Sequence, residues 1–194
     1  MPDLISDLAI SEYLEALASK SATPGGGSAS ALIAAQGTAL LSMVCEFSRP
    51  RDESSLDINM KCSVTQTNLL RLVQKDVDTF NEVMNWYADK GSDQYQKATE
   101  TAVTVSLDIM REASTVIDAA EYLSKRGNKN LISDVAIGAK LLSSGIESAY
   151  INVLVNLKTI SNGWMAREAK EEAREYLQTS NRLSSIYTLI RGGL

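Results

Sequence analysis

The sequence predicts an all-α fold, a bundle of about six helices. Three observations carry this. Apolar residues recur at three- and four-residue intervals through most of the chain. Three prolines and two phenylalanines are too few for the turns and aromatic cross-strand pairs of an all-β protein. The 194 residues are 44% hydrophobic and 22% charged, which suits one domain, residues 1–194, with a substantial core.

The elements follow in order. A first amphipathic helix is predicted over residues 10–18, with Leu14, Leu17 and Ala18 on one face and Ser11 as its cap. A glycine segment follows, and a second helix, rich in Ala and Leu, runs from Ser28 to Phe47. Residues 48–55 read as a charged loop closed by capping serines. The third helix, 56–88, carries Leu69, Leu72, Val73, Phe80, Val83 and Met84 on a stripe that Asp76 interrupts. The favourable role for Asp76 within such a stripe is an ion pair with Arg71 or Lys75. Lys90-Gly91-Ser92 turns the chain into a fourth helix, 93–125, which Gly127-Asn128 closes as a C-cap. A fifth helix spans 130–161. Asn162-Gly163 breaks it, and a highly charged sixth helix covers 166–190.

Composition excludes several chemistries. Without a histidine there is no Ser-His-Asp triad, no Cys-His pair and no His-ligated zinc. Cys45 and Cys62 are too few for a cysteine-only zinc site and read as buried free thiols. No metal site is expected. The net charge of -5 and the absence of a Lys/Arg cluster argue against nucleic acid as a partner. The first ten residues carry two aspartates and no basic residue, which predicts no signal peptide and a cytoplasmic location. Residues 21–45 carry no charge, but glycines, serines, threonines and Gln36 interrupt them. A central buried helix explains that run better than a membrane span.

Two segments hold residues that a plain core does not need. In Thr23-Pro24-Gly25-Gly26-Gly27-Ser28, proline ends any preceding helix and three glycines meet the start of the next. The segment reads either as a hinge or as a helix start whose free amides receive an anion, with Ser28 or Ser30 as cap. On the fifth helix, Asp134, Gly138, Gly145, Asn152 and Asn156 lie at helical spacing and form a small, polar face in an otherwise apolar segment. Its glycines allow either close approach of another helix or space for a flat ligand. Its asparagines need partners, because an unpaired buried amide costs about 1–3 kcal/mol. Asp134, one turn into that helix, also interacts favourably with the helix dipole.

Three segments together resemble the formiminotetrahydrofolate cyclodeaminase / methenyltetrahydrofolate cyclohydrolase family. They are Thr23 to Ser28 with the following helix to Met43-Val44, the run Asp76 to Val83, and Gly127 to Asp134 continuing to Asn152 to Leu157. The resemblance covers roughly residues 8–165. It implies an all-helical homodimer with a folate substrate, no metal and no bound cofactor, in its free-standing microbial form. Members of the family close 5-formimino-tetrahydrofolate to 5,10-methenyl-tetrahydrofolate with loss of ammonia, or hydrolyse the methenyl compound to 10-formyl-tetrahydrofolate. Two departures from the family pattern stand out. Ser106 replaces a proline common in the fourth helix, and the basic residues after the second helix are reduced to Arg49 and Arg51.

Both reactions pass through a tetrahedral carbon between N5 and N10, and both need a proton-transfer group and negative charge beside a cation. In a chain without histidine, carboxylates are the natural candidates. Asp134 is expected as acid/base, with Asp76 second. Asn130, Asn152 and Asn156 are expected on the pterin edge, with Asn128 and Ser133 beside them in the same motif. Pro24, Gly25, Gly26, Gly27 and Ser28 are expected to receive the carboxylate of the glutamate tail or to form the wall of the site. The competing expectation is a non-catalytic folate-binding or helix-packing dimer module. The sequence does not separate deamination from hydrolysis.

Overall fold

A computed structural model describes residues 4–48 and 53–194, with the side chains of Glu53 and Ser54 also outside the description. The charged loop predicted around Arg49 and Arg51 lies outside the described residues. The rest is all-α, as the periodicity predicts. Seven helices are described: α1 Ile10–Ala18, α2 Gly26–Glu46, α3 Glu53–Asn85, α4 Asp93–Ser114, α5 Ile117–Arg126, α6 Ile132–Leu157 and α7 Gly163–Gly193.

The count exceeds six because the fourth predicted helix breaks at Thr115-Val116. There the Thr115 amide is shared between the carbonyls of Arg111 and Glu112, 3.2 and 3.1 Å away. The Thr115 hydroxyl donates back to Glu112 O at 2.8 Å and also meets Thr65 Oγ1 of α3 at 2.9 Å. A β-branched Thr-Val-Ile run supplies a side chain that competes for the backbone and little helix propensity to resist it.

α1 spans its predicted residues, but its N-cap is Ala9 and not Ser11, because Glu12 reaches back to accept the Ala9 amide at 2.9 Å. Its buried residue is Tyr13, while Leu14 is exposed. Ser55 lies inside the first turns of α3 and is buried, so it closes no loop. Ser92 caps α4 by accepting from Tyr95 N at 3.2 Å, and Asn162 caps α7 by accepting from Met165 N at 3.2 Å. Gly127 ends α5 with its amide on Leu123 O at 2.9 Å, where an added Cβ would come within 2.5 Å of that oxygen. Ser106 is buried within an unbroken α4, its hydroxyl on Ala102 O at 3.0 Å.

α2 and α6 form the centre of the bundle. An added Cβ at Gly37 would lie 2.7 Å from Gly138 O, and one at Gly145 would lie 2.8 Å from Ala34 Cβ. The glycines of the polar α6 face therefore serve close helix approach, and Gly37 is their counterpart on α2. α2 is long and apolar enough to cross a membrane by length and composition alone, yet 56% of its apolar window is buried inside the bundle. α3 and α4 cover one side of this pair. α7 covers α6 on another, held by Leu183, Ile186 and Ile190 in the core and by a polar knot. In that knot Ser143 Oγ meets Ser180 Oγ and Ser184 Oγ, both at 2.8 Å, and Ser180 donates to Glu147 at 2.7 Å. Arg111 adds an ion pair from α4 to Glu172 of α7 at 2.6 Å.

Candidate active site

The N-terminus of α2 is completed from another helix. Its first-turn amides have no carbonyl partners of their own, so they attract negative charge. The expected capping serine does not answer them. Ser28 Oγ turns back to Gly25, accepting its amide at 3.1 Å and donating to its carbonyl at 2.9 Å. Ser30 Oγ donates to Gly26 O at 2.6 Å. The anion is Asp76 of α3, whose Oδ2 accepts from Ser28 N at 2.8 Å. Gly27 is where this geometry demands glycine, because a Cβ there would overlap the Asp76 carboxylate. The expected ion pair of Asp76 is not formed; Lys75 pairs instead with Asp108 of α4 at 3.3 Å.

Asp76 is partly enclosed. Burial raises its pKa above the usual carboxylate range, and the Ser28 amide opposes the rise without cancelling it. Its carboxylate lines a cavity of about 210 Å³. The walls are the glycine turn, with Thr23 and Gly25 to Gly27, the α3 residues Thr79, Phe80 and Val83, and Asn152 and Asn156 of α6. Among the described residues neither asparagine carboxamide is engaged in a hydrogen bond, which leaves donors and acceptors facing the cavity. Pro24, joined to Thr23 by a cis peptide bond, is buried behind the turn.

The structure thus brings together Gly25, Gly26, Gly27, Asp76, Asn152 and Asn156, with Ser28 behind the carboxylate. It does not bring Asn128, Asn130, Ser133 or Asp134 to the same place in one chain. Asp134 stands in the first turn of α6 and Asn152 in its last two turns. Eighteen residues of helix separate them, about 27 Å at 1.5 Å per residue. Asn128 is fixed at that far end, its amide on Ser48 Oγ at 2.9 Å and its carboxamide donating to Phe47 O at 3.1 Å; its Oδ1 accepts from Asn130 N at 3.0 Å. A helical face is one line of residues, but across five turns its two ends cannot meet on one ring-sized group.

Phe80 is the wall residue that the periodicity assigns to a core stripe. It lies one turn after Asp76, so the two necessarily share a face. The apolar stripe of α3 is buried at Leu69, Leu72 and Val73 and leaves the core at Phe80, Val83 and Met84.

The sequence profile of the family described as formiminotransferase-cyclodeaminase matches residues 9–175. The chain belongs to this family. A methenyltetrahydrofolate cyclohydrolase from Methylorubrum extorquens is 32% identical, over 94% of this chain and 95% of that protein. The formimidoyltransferase-cyclodeaminase of Rattus norvegicus is 28% identical over 89% of this chain, which spans only 35% of the rat protein. The crystal structure of a formiminotetrahydrofolate cyclodeaminase from Thermotoga maritima superposes with a TM-score of 0.90 at 28% identity, covering 97% of this chain and 98% of that one. Family membership agrees with the resemblance that the three sequence segments carry.

Proposed function

We propose that this chain is a folate one-carbon enzyme acting on the N5–N10 bridge of tetrahydrofolate. It closes the 5-formimino compound to 5,10-methenyl-tetrahydrofolate with release of ammonia, hydrolyses the methenyl compound to 10-formyl-tetrahydrofolate, or does both. The observation that carries this reading is the cavity, where a carboxylate whose pKa burial raises, two unengaged carboxamides and an aromatic face meet in a member of a cyclodeaminase family.

The chemistry follows from those groups. In ring closure N10 attacks the amidine carbon, the N10 proton passes to the imino nitrogen, a second proton comes from Asp76, and the C–N bond to that nitrogen breaks to release ammonia. Asp76, which binds a proton more tightly than an ordinary carboxyl, gives up that proton and becomes the anion beside the methenyl cation. In hydrolysis the same carboxylate takes a proton from the water that attacks the methenyl carbon and returns it to N5 as the C–N5 bond breaks, while the carbinol hydroxyl loses its proton to become the formyl oxygen on N10. Asn152 and Asn156 pair with the pterin edge, and Phe80 packs on its face. The Ser28 amide is already engaged by Asp76, so the glycine turn serves as the wall of the site and holds the acid.

The cavity is smaller than the roughly 300–1,000 Å³ that drug-sized ligands fill, so it takes the pterin end alone. An adjoining groove of about 410 Å³, sharing Gly26 and Asn152 and bounded by Ile33 and Ile151, receives the rest of the molecule. That groove runs into an apolar face. Ile33 and Leu40 of α2 with Phe47 at its C-cap, and Ile137, Ile151 and Val155 of α6, follow heptad spacing and are partly or fully exposed; Ile151 and Val155 are 57% and 53% exposed. A homodimer covers this face. The α6 stripe is centred near Ile146, and antiparallel packing about a two-fold axis there sets the partner subunit's Asp134 against the Asn156 end of α6. The second group of expected residues thereby joins the first across the interface, with the acidic charge of the partner subunit's Asp134 added to that of Asp76.

The test is direct. Methenyl-tetrahydrofolate absorbs in the near ultraviolet, so its appearance from the 5-formimino compound or its loss in buffer with pure protein reports each reaction. Rates equal to the uncatalysed background with both compounds, while folate raises the melting temperature, would support the non-catalytic folate-binding module instead.

A further inference from the structure

Thr79 of α3 is 8% exposed and lines the same cavity as Asp76. A threonine inside a helix commonly gives its hydroxyl to the carbonyl one turn back. Thr38, Thr99, Thr101 and Thr104 of this chain do so, at 2.9, 2.9, 2.9 and 3.0 Å. Thr79 does not: among the described residues its hydroxyl takes part in no hydrogen bond. Nor is that hydroxyl sealed within protein, since the fully enclosed hydroxyls without a partner are those of Tyr13 and Ser114. It opens onto the space that the residue lines, which is the cavity of the candidate site. Thr79 follows Asp76 by three residues, so their Cβ atoms lie about 5–6 Å apart on one face of α3. The Ser28 amide takes Asp76 Oδ2, and Oδ1 accepts from no donor among the described residues. Two unoccupied oxygens at that spacing are a pair that one water molecule bridges. The neighbouring wall residues Phe80, Val83 and Ala102 bring no polar side-chain atom to compete for it.

We propose that Thr79 is a further catalytic residue, which together with Asp76 holds the water that attacks the methenyl carbon. The water donates one proton to Asp76 Oδ1 and the other to Thr79 Oγ1, and this aims its lone pair at the carbon. As the new C–O bond forms, the π pair of the cationic C–N bond returns to nitrogen. The proton on the Asp76 side passes to the carboxylate, and the one on the Thr79 side stays on oxygen as the carbinol hydroxyl. The step needs no reactant besides water and the folate. It assigns hydrolysis to this chain among the two reactions of its family. This inference rests on the proposed reading of the cavity as the folate site and of Asp76 as its proton-transfer group.

The test is Thr79→Val, which keeps the shape of the side chain and removes the oxygen. Parent and variant are compared for loss of methenyl-tetrahydrofolate above the buffer rate. The expected result is a kcat for hydrolysis lower by about tenfold or more, with KM within about twofold of the parent's. The melting temperature should equal or exceed the parent's, because the hydroxyl bonds nothing in the fold. Thr79→Ser, which returns an oxygen, should recover most of the lost rate. Hydrolysis by Thr79→Val within about twofold of the parent overturns the proposal. So does a raised KM with kcat unchanged, which would make Thr79 a contact to the folate and not to the water. A parent that closes the 5-formimino compound but leaves the methenyl compound at its buffer rate also overturns it, while the wider functional reading stands. A parent that acts on neither compound ends that reading and the inference with it. Should Thr79→Val not fold, Thr79→Cys replaces the oxygen with a weak acceptor of similar shape, and the same fall in kcat at constant KM is expected.

Discussion

Asp76 combines two demands that pull against each other. Its charge caps α2, yet its surroundings favour the protonated form. The pH dependence follows from the sign. Between the ordinary carboxyl value and the raised folded one, the native state holds a proton that the unfolded chain has released. Stability from this group is therefore greatest at acid pH and declines as pH rises through that window. Asp76→Asn keeps an oxygen for the Ser28 amide and removes the charge. It is expected to melt at or above the parent's temperature near neutral pH, with a flatter dependence of melting on pH, and to lose about 10²-fold or more in kcat. Full activity in that variant would remove Asp76 from the mechanism. Gly27→Ala tests the same contact from the other side. Its methyl displaces the carboxylate, so activity should fall as far as in Asp76→Asn, with about 1–3 kcal/mol of stability lost in denaturant titration.

At the scale of elements, the α2–α6 contact is the part least tolerant of change. Gly145→Leu would drive a side chain into Ala34 and Ser30 O, which now stand 2.8 and 3.0 Å from where a Cβ would begin. A loss of about 3 kcal/mol or more is expected, read as a lower urea midpoint. Helix existence was legible in the sequence because each long segment keeps a helical period, and α1 is found at its predicted bounds. The break at Thr115 was not, because it depends on Thr65, fifty residues away. The same holds for the cap of α2. Local patterns point to Ser28 or Ser30, and only packing reveals that a carboxylate from α3 takes the place. Asn152 and Asn156 were legible as polar residues in an apolar rod, but the length of that rod, which separates them from Asp134, has to be read in ångströms.

For the whole molecule, the arrangement of the two groups of polar residues makes a prediction about assembly. If the site is shared across a two-fold interface, Asp76→Asn and Asp134→Asn are each inactive alone. Unfolded together and refolded in equal amounts, half of the dimers are mixed, and each mixed dimer holds one site with both aspartates intact. About a quarter of the parent activity should return. No recovery, with mixed dimers demonstrated by differential tagging, would place the whole reaction within one subunit. Ile151→Glu, which puts a charge in the apolar face, should shift the protein toward the monomer in sedimentation while leaving its helical content intact.

The family profile ends at residue 175, but α7 continues for another eighteen residues. Leu183, Ile186 and Ile190 of that extension are part of the core, and Ser180 and Ser184 occupy the hydroxyl of Ser143. Burying each such aliphatic side chain contributes about 1.5–3 kcal/mol, and a domain is typically stable by only about 5–15 kcal/mol. An expression boundary drawn at residue 175, where the family profile stops, would strip α6 of these aliphatic partners. Such a trimmed protein should be recovered from the insoluble fraction, even though every group assigned to the chemistry would still be present in it.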